Sequence, residues 1–402
     1  MNILLLNDDF PPHGKSSVSG IVKDVAQQLK TKGHAVTIIT THRTNISPKI
    51  IREGNVISLP ISYRTSLRHY FCLYNPKVAR LLAQELRKIK PDVVHAHNLH
   101  THLTYHALAV AKRFTPHVSI TMHDVMSFSY GRVATKNFLD SEGQDVHTDL
   151  FDHIRQAGLQ YNPLRNMCIR FMLRRNATRV FAVSNALKRA LDAHHIINTE
   201  VRYNRIDTHF WRNDEEGAVR FRKEHRLEDR KLILFGGRLS RDKGSTPLLH
   251  ALNSIRKNIP NVFLIVIGNP VSWEGLVREA QIVEDLSQYI TCLNWLSKEE
   301  LRSVYSSADI VTTPSLCLDT FNLMNAEAMS CETPVVGTCF GGTPEVVEND
   351  VTGFIRNPLH IEEYTDALQK LLTDDVLAKN MGKAGRKRME ELFDIHSTNL
   401  MQ

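Results

Sequence analysis

Residues 314–330 have the sequence PSLCLDTFNLMNAEAMS and follow a short apolar run at 309–313. The run predicts a strand, and the residues after it predict a loop that carries Asp319 and a helix that begins at about 320–322. Glu327 then lies in the second turn of that helix. Free amides and the positive dipole end of such a helix suit a phosphate, and flanking carboxylates can accept hydrogen bonds from hydroxyl groups. From spacing alone, a helix-capping Asp319 and a surface Glu327 explain the pattern equally well.

Short apolar runs alternate with longer amphipathic stretches along the whole chain. Strands are predicted at 2–6, 35–40, 92–95, 117–121, 179–183, 231–235, 262–267, 309–313 and 334–337. Helical patterns, such as those at 21–32 and 77–90, lie between them. This alternation predicts an α/β fold in which helices cover both faces of parallel sheets.

The alternation begins again near residue 231, after a charged and loop-like stretch at 212–230. A chain of 402 residues is long enough for two domains. We therefore predict Rossmann-like domains at 1–205 and 206–385, followed by a helix at 386–402 that returns toward the first domain. Ligands bind at the carboxyl ends of the strands in such sheets. Two facing sheets would therefore share one cleft.

The composition is ordinary for a soluble globular enzyme, with 42% apolar and 23% charged residues and a net charge of +7. A basic surplus suits a phosphate-bearing substrate, a membrane surface or nucleic acid, but no nucleic-acid-binding motif is present. The six cysteines are scattered without a C-x-x-C pair, which indicates reduced thiols and a cytoplasmic location. No D-x-D pair and no recognisable ligand spacing is present, so no metal or other cofactor is expected.

Residues 235–244, FGGRLSRDKG, place two glycines after a predicted strand and then two cations. Glycine lets the backbone approach a ligand closely, and here the relevant position is Gly237. Arg238 offers a planar fork and Lys243 a point charge, and both suit phosphate oxygens. Fixed groups that stabilise developing charge are each typically worth ~10²–10³ in rate. A solvated cluster of loop charges is an equally weighted alternative.

Residues 314–330 resemble the E-x7-E signature of the retaining GT-B glycosyltransferases of family GT4, and 332–337 and 341–345 are similar to the segments that follow it. The resemblance implies two Rossmann-like domains facing across a cleft. It also implies transfer of a hexosyl group, with retention and without metal, from a nucleotide-diphosphate sugar to a hydroxyl acceptor. Cell-surface polysaccharide, lipid-linked sugar or glycoside biosynthesis would be the setting. A sugar-nucleotide epimerase and a non-catalytic sugar-binding or activating partner remain as alternatives.

The same resemblance assigns roles around the signature. Asp319 would contact the hydroxyls of the donor sugar, and Glu327 would hold the ribose. Amides at Phe321, Asn322 and Leu323 would approach the sugar and the phosphate. The family has Glu where Asp319 stands and favours Gly where Asn322 stands. Because Asp is shorter by one C–C bond, about 1.5 Å, either the loop lies further inward or the donor preference differs.

Other donor contacts follow from the resemblance. Arg238 and Lys243 would grip the diphosphate and act in catalysis, beside the backbone at Gly237. Trp295 lies where family members hold the nucleotide base. The two cations would neutralise the charge that develops as the diphosphate leaves, without a metal ion.

The loop at 7–17 contains the tripeptide Gly14-Lys15-Ser16, but the first glycine of a P-loop is missing. The loop instead resembles the P-P-x-x-G-G turn of the same family. The paired glycines of that turn fall on Ser16 and Ser17. Backbone amides there could still face a phosphate, and Lys15 could add a charge.

His123 and His97 follow predicted strands and so lie at carboxyl ends. A satisfied structural role is the ordinary explanation for a lone histidine in such a place. The resemblance places His123 against the donor sugar, where it would act in catalysis, with Asp124 orienting its ring. His97 and Asp124 are weaker candidates for acceptor contacts.

Residues 162–179 place five arginines among apolar side chains. They could form a basic amphipathic helix on an anionic membrane, or a helix packed on its own domain with a solvated basic face. Residues 128–152 lack periodicity and are predicted to form a mobile acceptor loop.

Overall fold

The computed structural model describes residues 1–14 and 16–397. These residues group into two compact units. The first comprises 1–133 and 146–204, and the second comprises 134–145 and 205–397. The predicted two-domain α/β organisation with parallel sheets is confirmed. The segment 134–145, predicted to lie in the first domain, groups with the second unit instead.

The first unit is built on an eight-stranded sheet with the order β3-β4-β2-β1-β5-β6-β7-β8. Its strands are β1 (Asn2–Asn7), β2 (Ala35–Arg43), β3 (Ile51–Glu53), β4 (Val56–Ile61), β5 (Val93–His97), β6 (His117–Met122), β7 (Arg179–Ala182) and β8 (Thr199–Val201). All neighbouring strands pair in parallel except β3 and β4. Leu4, Leu5 and Leu6 of the central strand β1 are fully buried, as expected for a sheet covered on both faces.

Helices connect these strands. They are α1 (Ser17–Thr31), α2 (Arg68–Phe71), α3 (Pro76–Ile89), α4 (His106–Ala111), α5 (Lys136–Asp140), α6 (Leu150–Ala157), α7 (Arg165–Asn176) and α8 (Asn185–Ala193). Helix α3 begins where Asn75 caps it and Pro76 takes the first helical position, which needs no N–H donor. Of these helices, α5 belongs to the second unit. Together, α5 and α6 place helical turns within 128–152, so the prediction that this stretch is an irregular loop is wrong for those residues.

The second unit has a six-stranded sheet in which all neighbouring strands are parallel, with the order β11-β10-β9-β12-β13-β14. The strands are β9 (Lys231–Gly236), β10 (Val262–Ile267), β11 (Ile290–Leu293), β12 (Ile310–Thr313), β13 (Val335–Thr338) and β14 (Gly353–Arg356). The helices are α9 (Glu215–Glu224), α10 (Ser245–Asn258), α11 (Pro270–Glu279), α12 (Lys298–Ser307), α13 (Leu323–Ser330), α14 (Thr343–Val346), α15 (Ile361–Thr373) and α16 (Asp375–Arg388), and a π-helical turn follows at Met389–Phe393. The hydrophobic core of the second unit includes Phe235 of β9, Leu252 of α10 and Leu368 of α15.

The stretch at 212–230 is not a loop, because α9 occupies its centre. The Asp214 carboxylate caps α9 by accepting from the Gly217 N–H at 3.1 Å. Ala218 and Phe221 form its buried face. Because the few apolar residues of α9 lie among many charged ones, its sequence shows only a weak helical periodicity. Its acidic first turn and basic last turn nevertheless match the helix dipole.

The last segment of the chain packs within the second unit as far as it is described. Asp394 forms a bridge with Ile206, and its side chain accepts from the Thr208 hydroxyl at 2.8 Å. The prediction that 386–402 returns toward the first domain stays a prediction, and residues 398–402 lie outside the described residues.

Candidate active site

Two loops at the carboxyl edge of the second sheet, one after β9 and one after β12, are docked backbone to backbone. Gly244 has a φ of +78°, and a Cβ at this position would lie 1.8 Å from the Pro314 carbonyl oxygen. The Leu316 N–H donates to the Asp242 carbonyl at 2.8 Å. Only glycine allows this approach, so the sequence fixes how closely the two loops meet.

This docking brings Lys243 and Asp319 together, 76 residues apart in the chain. The Lys243 ammonium donates to Asp319 Oδ2 and forms an ion pair with it. The Ser315 hydroxyl and the Asn322 amide donate to the same oxygen at 3.0 and 3.2 Å. Arg238 on the first loop is exposed, and within 1–14 and 16–397 it has no ion-pair partner. The loop after β9 thus carries the cation that is paired with Asp319 and, five residues earlier, an exposed cation.

The backbone of Asp319 is held by the two glycines that follow β13. The Gly342 N–H donates to the Asp319 carbonyl at 2.7 Å. Gly341 has a φ of +76°, and a Cβ there would lie 2.3 Å from the same oxygen. The loop that carries Asp319, an acid shorter than the Glu of the family, is therefore held by the glycines that follow β13. Its backbone cannot shift freely toward a ligand.

Helix α13 begins at Leu323, slightly later than predicted, and Asn322 precedes it with a φ of +61°. Asn tolerates this left-handed conformation better than most residues, and glycine suits it best. The Phe321 side chain is 2% exposed and packs on Phe393 with ring centroids 5.7 Å apart. Phe321 can therefore reach a ligand only through its backbone. Leu323, at the first helical position, belongs to the turn whose amides lack partners within the helix.

Glu327 is positioned by a residue that the sequence analysis missed. The hydroxyl of Tyr305, on α12, donates to Glu327 Oε2 at 2.9 Å. Burial, followed by the charge of Glu327, raises the pKa of Tyr305 well above its usual value, so the phenol keeps its proton. The two residues are 22 positions apart on different helices, and no sequence motif joins them.

The other donor candidates of this unit lie at the ends of β9 and β11. Gly237 has a φ of +109°, which a side chain would oppose, and its N–H donates to the Ile267 carbonyl at 3.1 Å. Trp295 is 65% exposed in the loop between β11 and α12. Its ring is free of the core and open to a planar ligand.

In the first unit, Ser16 caps α1. Its hydroxyl oxygen accepts from the Ser19 N–H at 3.2 Å, while the Ser19 hydroxyl donates to the Ser16 carbonyl at 2.7 Å. Ser17 is the first helical residue and is exposed. Lys15 lies outside the described residues. The Ser16 hydroxyl is therefore engaged in capping, which leaves backbone amides as the groups that could face a phosphate.

His97 and His123 meet at the carboxyl ends of β5 and β6. His97 Nδ1 and His123 Nε2 lie 3.0 Å apart, and the rings are 3% and 7% exposed. Burial lowers the pKa of His123 to about 3 and that of His97 well below its usual value. Both rings are therefore neutral at pH 7, and one donates to the other. His97 Nε2 is buried without a partner among the described residues.

Asp124 has partners other than the His123 ring that it was expected to orient. Its carboxylate accepts from the Asn98 amide at 2.8 Å and from the Met126 N–H at 2.9 Å. The ring that contacts His123 is that of His97, not the carboxylate of Asp124. Consecutive residues in extended backbone point to opposite sides, which accounts for the separation of His123 from Asp124.

One cluster in the described part of the chain could present three ligands to a metal. Ligand atoms of Asp207, His209 and His396 all lie within 4.8 Å of one another. The two rings stack with centroids 4.2 Å apart and planes 10° from parallel. His396 Nε2 is already 3.0 Å from Asp207 Oδ1. The prediction that no metal is needed stays a prediction.

Known proteins resemble the chain over nearly its whole length. Residues 18–210 match the family model described as Glycosyltransferase Family 4, and 219–388 match Glycosyl transferases group 1. A putative glycosyltransferase of Bacillus subtilis is 25% identical over 339 residues, which cover 81% of this chain and 74% of that protein.

Two solved structures share the fold. Sucrose-phosphate synthase from Thermosynechococcus elongatus superposes with a TM-score of 0.73 at 20% identity, covering 98% of this chain and 95% of that one. HepE of Anabaena, in complex with UDP-glucose, has a TM-score of 0.69 at 18% identity, with coverages of 98% and 95%. The predicted resemblance is thereby confirmed, and the chain belongs to the GT4 family of glycosyltransferases, which use nucleotide sugars, and has their GT-B fold.

Proposed function

We propose that the protein transfers a hexosyl group from a nucleotide-diphosphate sugar to a hydroxyl acceptor with retention of the anomeric configuration. The observation that carries the proposal is the docked pair of loops that sets Asp319 against Lys243, with exposed Arg238 on the same loop as Lys243. Permanent cations next to a fixed carboxylate suit a ligand that joins a diphosphate to a sugar with hydroxyl groups.

Each group then has a distinct part in the reaction. Glu327, oriented by Tyr305, accepts hydrogen bonds from the ribose. Arg238 and Lys243 stabilise the negative charge that grows on the diphosphate as the glycosidic bond breaks. Lys243 exchanges part of its contact with Asp319 for the phosphate oxygens, which frees that carboxylate for a sugar hydroxyl.

Retention follows from front-face attack. The acceptor hydroxyl attacks on the side from which the diphosphate leaves, and a departing phosphate oxygen takes its proton. No protein side chain is then needed as general base, and neutral His123 contributes hydrogen bonds rather than charge. With two permanent cations on the diphosphate, the proposed reaction needs no metal ion.

The direct test pairs ligand binding with product analysis. Binding to the native state raises the melting temperature by mass action, so a panel of nucleotide sugars that includes UDP-glucose identifies the donor. The variant Arg238→Ala/Lys243→Ala should lose the shift, whereas Arg241→Ala should keep it, because Arg241 is exposed and paired with Glu279 at 2.6 Å. NMR of the product should show the anomeric configuration of the donor.

Other outcomes would replace the proposal. An inverted product contradicts retention. Conversion of the nucleotide sugar without an acceptor indicates an epimerase. Donor binding with no turnover on any acceptor indicates a sugar-binding or activating partner.

We also propose that α7 contacts an anionic membrane at the cytoplasmic side. Its outward face exposes Leu164, Met167 and Phe171 at 57%, 54% and 61%. Arg174 and Arg175 are exposed on the same helix, and the Arg175 guanidinium lies 6.0 Å from the Phe171 ring centroid. Apolar anchors beside arginines favour the membrane alternative over a merely solvated basic face.

Within 1–14 and 16–397, no helix has the length and apolar content to cross a bilayer. The double variant Met167→Ser/Phe171→Ser should weaken flotation with phosphatidylglycerol vesicles by about tenfold. Val219→Ser, which removes a side chain exposed at 68% in the second unit, should not. Equal losses in the two variants would contradict this contact.

A further inference from the structure

A cavity of about 250 Å³ opens within the first unit. Its walls come from the loop after β6, from α6 and α7, and from the end of α8. Sites that bury whole drug-sized ligands usually measure roughly 300–1,000 Å³. This cavity therefore suits a small polar group rather than an entire large substrate.

The lining is cationic or neutral. It contains Arg170 together with four histidines, His147, His153, His194 and His195. Among the described residues that line it, none carries a carboxylate. The nearby carboxylates of Asp149 and Asp152 act on His153 but do not line the cavity. The guanidinium and imidazole groups of the lining offer donors to an oxyanion.

One wall is held rigid by a neutral histidine. His194 Nδ1 donates to the Ala190 carbonyl at 2.8 Å, so Nε2 carries the lone pair and accepts from the Thr148 N–H at 3.3 Å. Burial lowers the pKa of His194 to about 4, which keeps this arrangement at neutral pH. The ring also stacks on Phe128 with centroids 4.2 Å apart.

A buried hydroxyl in the lining lacks a partner. Ser127 is 1% exposed, and its Oγ has no hydrogen-bond partner among the described residues. Leaving a buried polar group without a hydrogen bond is unfavourable, so this hydroxyl needs a ligand or a water. Arg170 Nη1 makes only a long contact of 3.5 Å with the His194 carbonyl, which leaves guanidinium N–H groups for an anion.

We propose that this cavity binds a phosphate group through the Arg170 guanidinium and the Ser127 hydroxyl, with imidazole N–H groups at its rim. Ser127 follows His123 by four residues, which span at most roughly 14 Å of chain. In the proposed transfer reaction, on which this last step rests, the phosphate belongs to the acceptor. The acceptor is then a phosphorylated sugar or polyol, or the headgroup of a phospholipid.

Calorimetric titration with inorganic phosphate tests the site directly. The background is Arg238→Ala/Lys243→Ala, so that phosphate bound by those cations does not contribute. Adding Arg170→Gln should raise the Kd at least about tenfold, and adding Ser127→Ala about threefold. The matched control is Arg189→Gln, which removes an exposed charge from α8, the helix whose end lines the cavity, and should change the Kd less than about twofold.

Further probes separate the sources of the phosphate. Glycerol 3-phosphate that binds with the same dependence on Arg170 indicates a free phosphomonoester. Phosphatidic acid vesicles whose binding is weakened by Arg170→Gln and competed by phosphate indicate a lipid headgroup. Absence of saturable phosphate binding, or equal losses in the Arg170 and Arg189 variants, would overturn the site. Either result would leave donor binding by the wild type unchanged, so this failure is distinguishable from a failure of the proposed function.

Discussion

The candidate site of the first unit contains uncharged histidines, whereas that of the second unit contains charged side chains. Fifteen of the 20 histidines lie in the first unit and five in the second. At the carboxyl edge of the first sheet, burial lowers the pKa of His123 to about 3, and its ring meets the equally buried His97. At the carboxyl edge of the second sheet, Lys243 and Asp319 form an ion pair, and Arg238 lies exposed on the same loop as Lys243. Neutral donors and acceptors suit sugar hydroxyls, whereas permanent charges suit a diphosphate.

This difference extends beyond the candidate site. His95 on β5 is half-buried, with Ser119 Oγ and Thr121 Oγ1 each 2.8 Å from one of its ring nitrogens, and desolvation lowers its pKa to about 3. The same cause lowers the pKa of His69 and His102 to about 4. The first unit thus depends on desolvated imidazoles that must stay uncharged.

The largest expected effect is selective acid unfolding of the first unit. The pKa values of His95 and His123 are about 3 in the folded state and 6.5 in the unfolded state, so the unfolded state binds more protons between these values. The stability that the neutral rings contribute is therefore fully present above pH 6.5 and is lost as the pH falls toward 3. Each shift of this size corresponds to several kcal/mol. Trp211, Trp273 and Trp295 are the chain's 3 tryptophans and all belong to the second unit. The urea midpoint measured by circular dichroism should therefore fall between pH 7 and 5, while that of tryptophan emission stays nearly constant.

Two variants sharpen this test. His95→Gln removes one of these imidazoles and should move the acid midpoint of the first unit to lower pH. His250→Gln, at an exposed position of the second unit, should leave it unchanged. If both optical probes shift together with pH, the contrast between the units does not hold.

The next largest effect concerns the permanent charges. Arg238→Ala and Lys243→Ala should each lower kcat by about 10²–10³, because each removes a fixed cation from the charge that develops on the diphosphate. The two losses should be of similar size, since both cations act on the same developing charge. Steady-state kinetics with the donor found by the binding panel measure both quantities.

The control for these variants is the exposed cation Arg241 on the same loop. Arg241→Ala should retain kcat within about twofold, since exposed ion pairs contribute little. A comparable loss in that variant would mean that general loop charge, rather than the two specific positions, controls the rate.

Sequence alone predicted the centre of each sheet better than its edges. Strands β9 and β10 are continuous apolar runs, and both were predicted to within one residue. The edge strands β3, β8, β11 and β14 were missed because they are short and partly exposed, so they lack the continuous apolar run that marks the equally short β12 and β13. Strand β4 was missed as well.

In the candidate site, the sequence predicted individual residues but not the contacts between them. Local motifs pointed to Lys243 and Asp319 separately, but only tertiary structure joins residues that lie 76 positions apart. Tyr305 carries no motif, so its contact with Glu327 could not be foreseen. For His123 the sequence offered the adjacent Asp124 as a partner, whereas the contact comes from His97 on the neighbouring strand. Side-chain partners are set by strand order and register, which sequence patterns do not specify.

A smaller effect tests the backbone that holds the charged edge of the second unit. Gly341→Ala should destabilise that unit by about 2–4 kcal/mol, because a Cβ would strain a positive φ and collide with the Asp319 carbonyl. The tryptophan-detected urea midpoint measures the loss. Gly275→Ala is the control, and it should stabilise the unit slightly rather than destabilise it. A Cβ there meets nothing within 4 Å, and alanine favours the interior of α11. If Gly341→Ala were as stable as the wild type, the loop would not be pinned as described.

The smallest effect concerns the hydroxyl that orients Glu327. Tyr305→Phe keeps the buried ring and removes the donor to Glu327, so the KM for the donor should rise about threefold to tenfold with kcat little changed. Tyr364→Phe is the matched control, because its buried hydroxyl contacts Thr312 Oγ1 at 2.7 Å within the same unit. Both variants should lose about 1 kcal/mol of stability, but only the first should change KM. An equal change in KM would mean that the Tyr305 hydroxyl supports the fold of the second unit without orienting the carboxylate that we assign to the ribose.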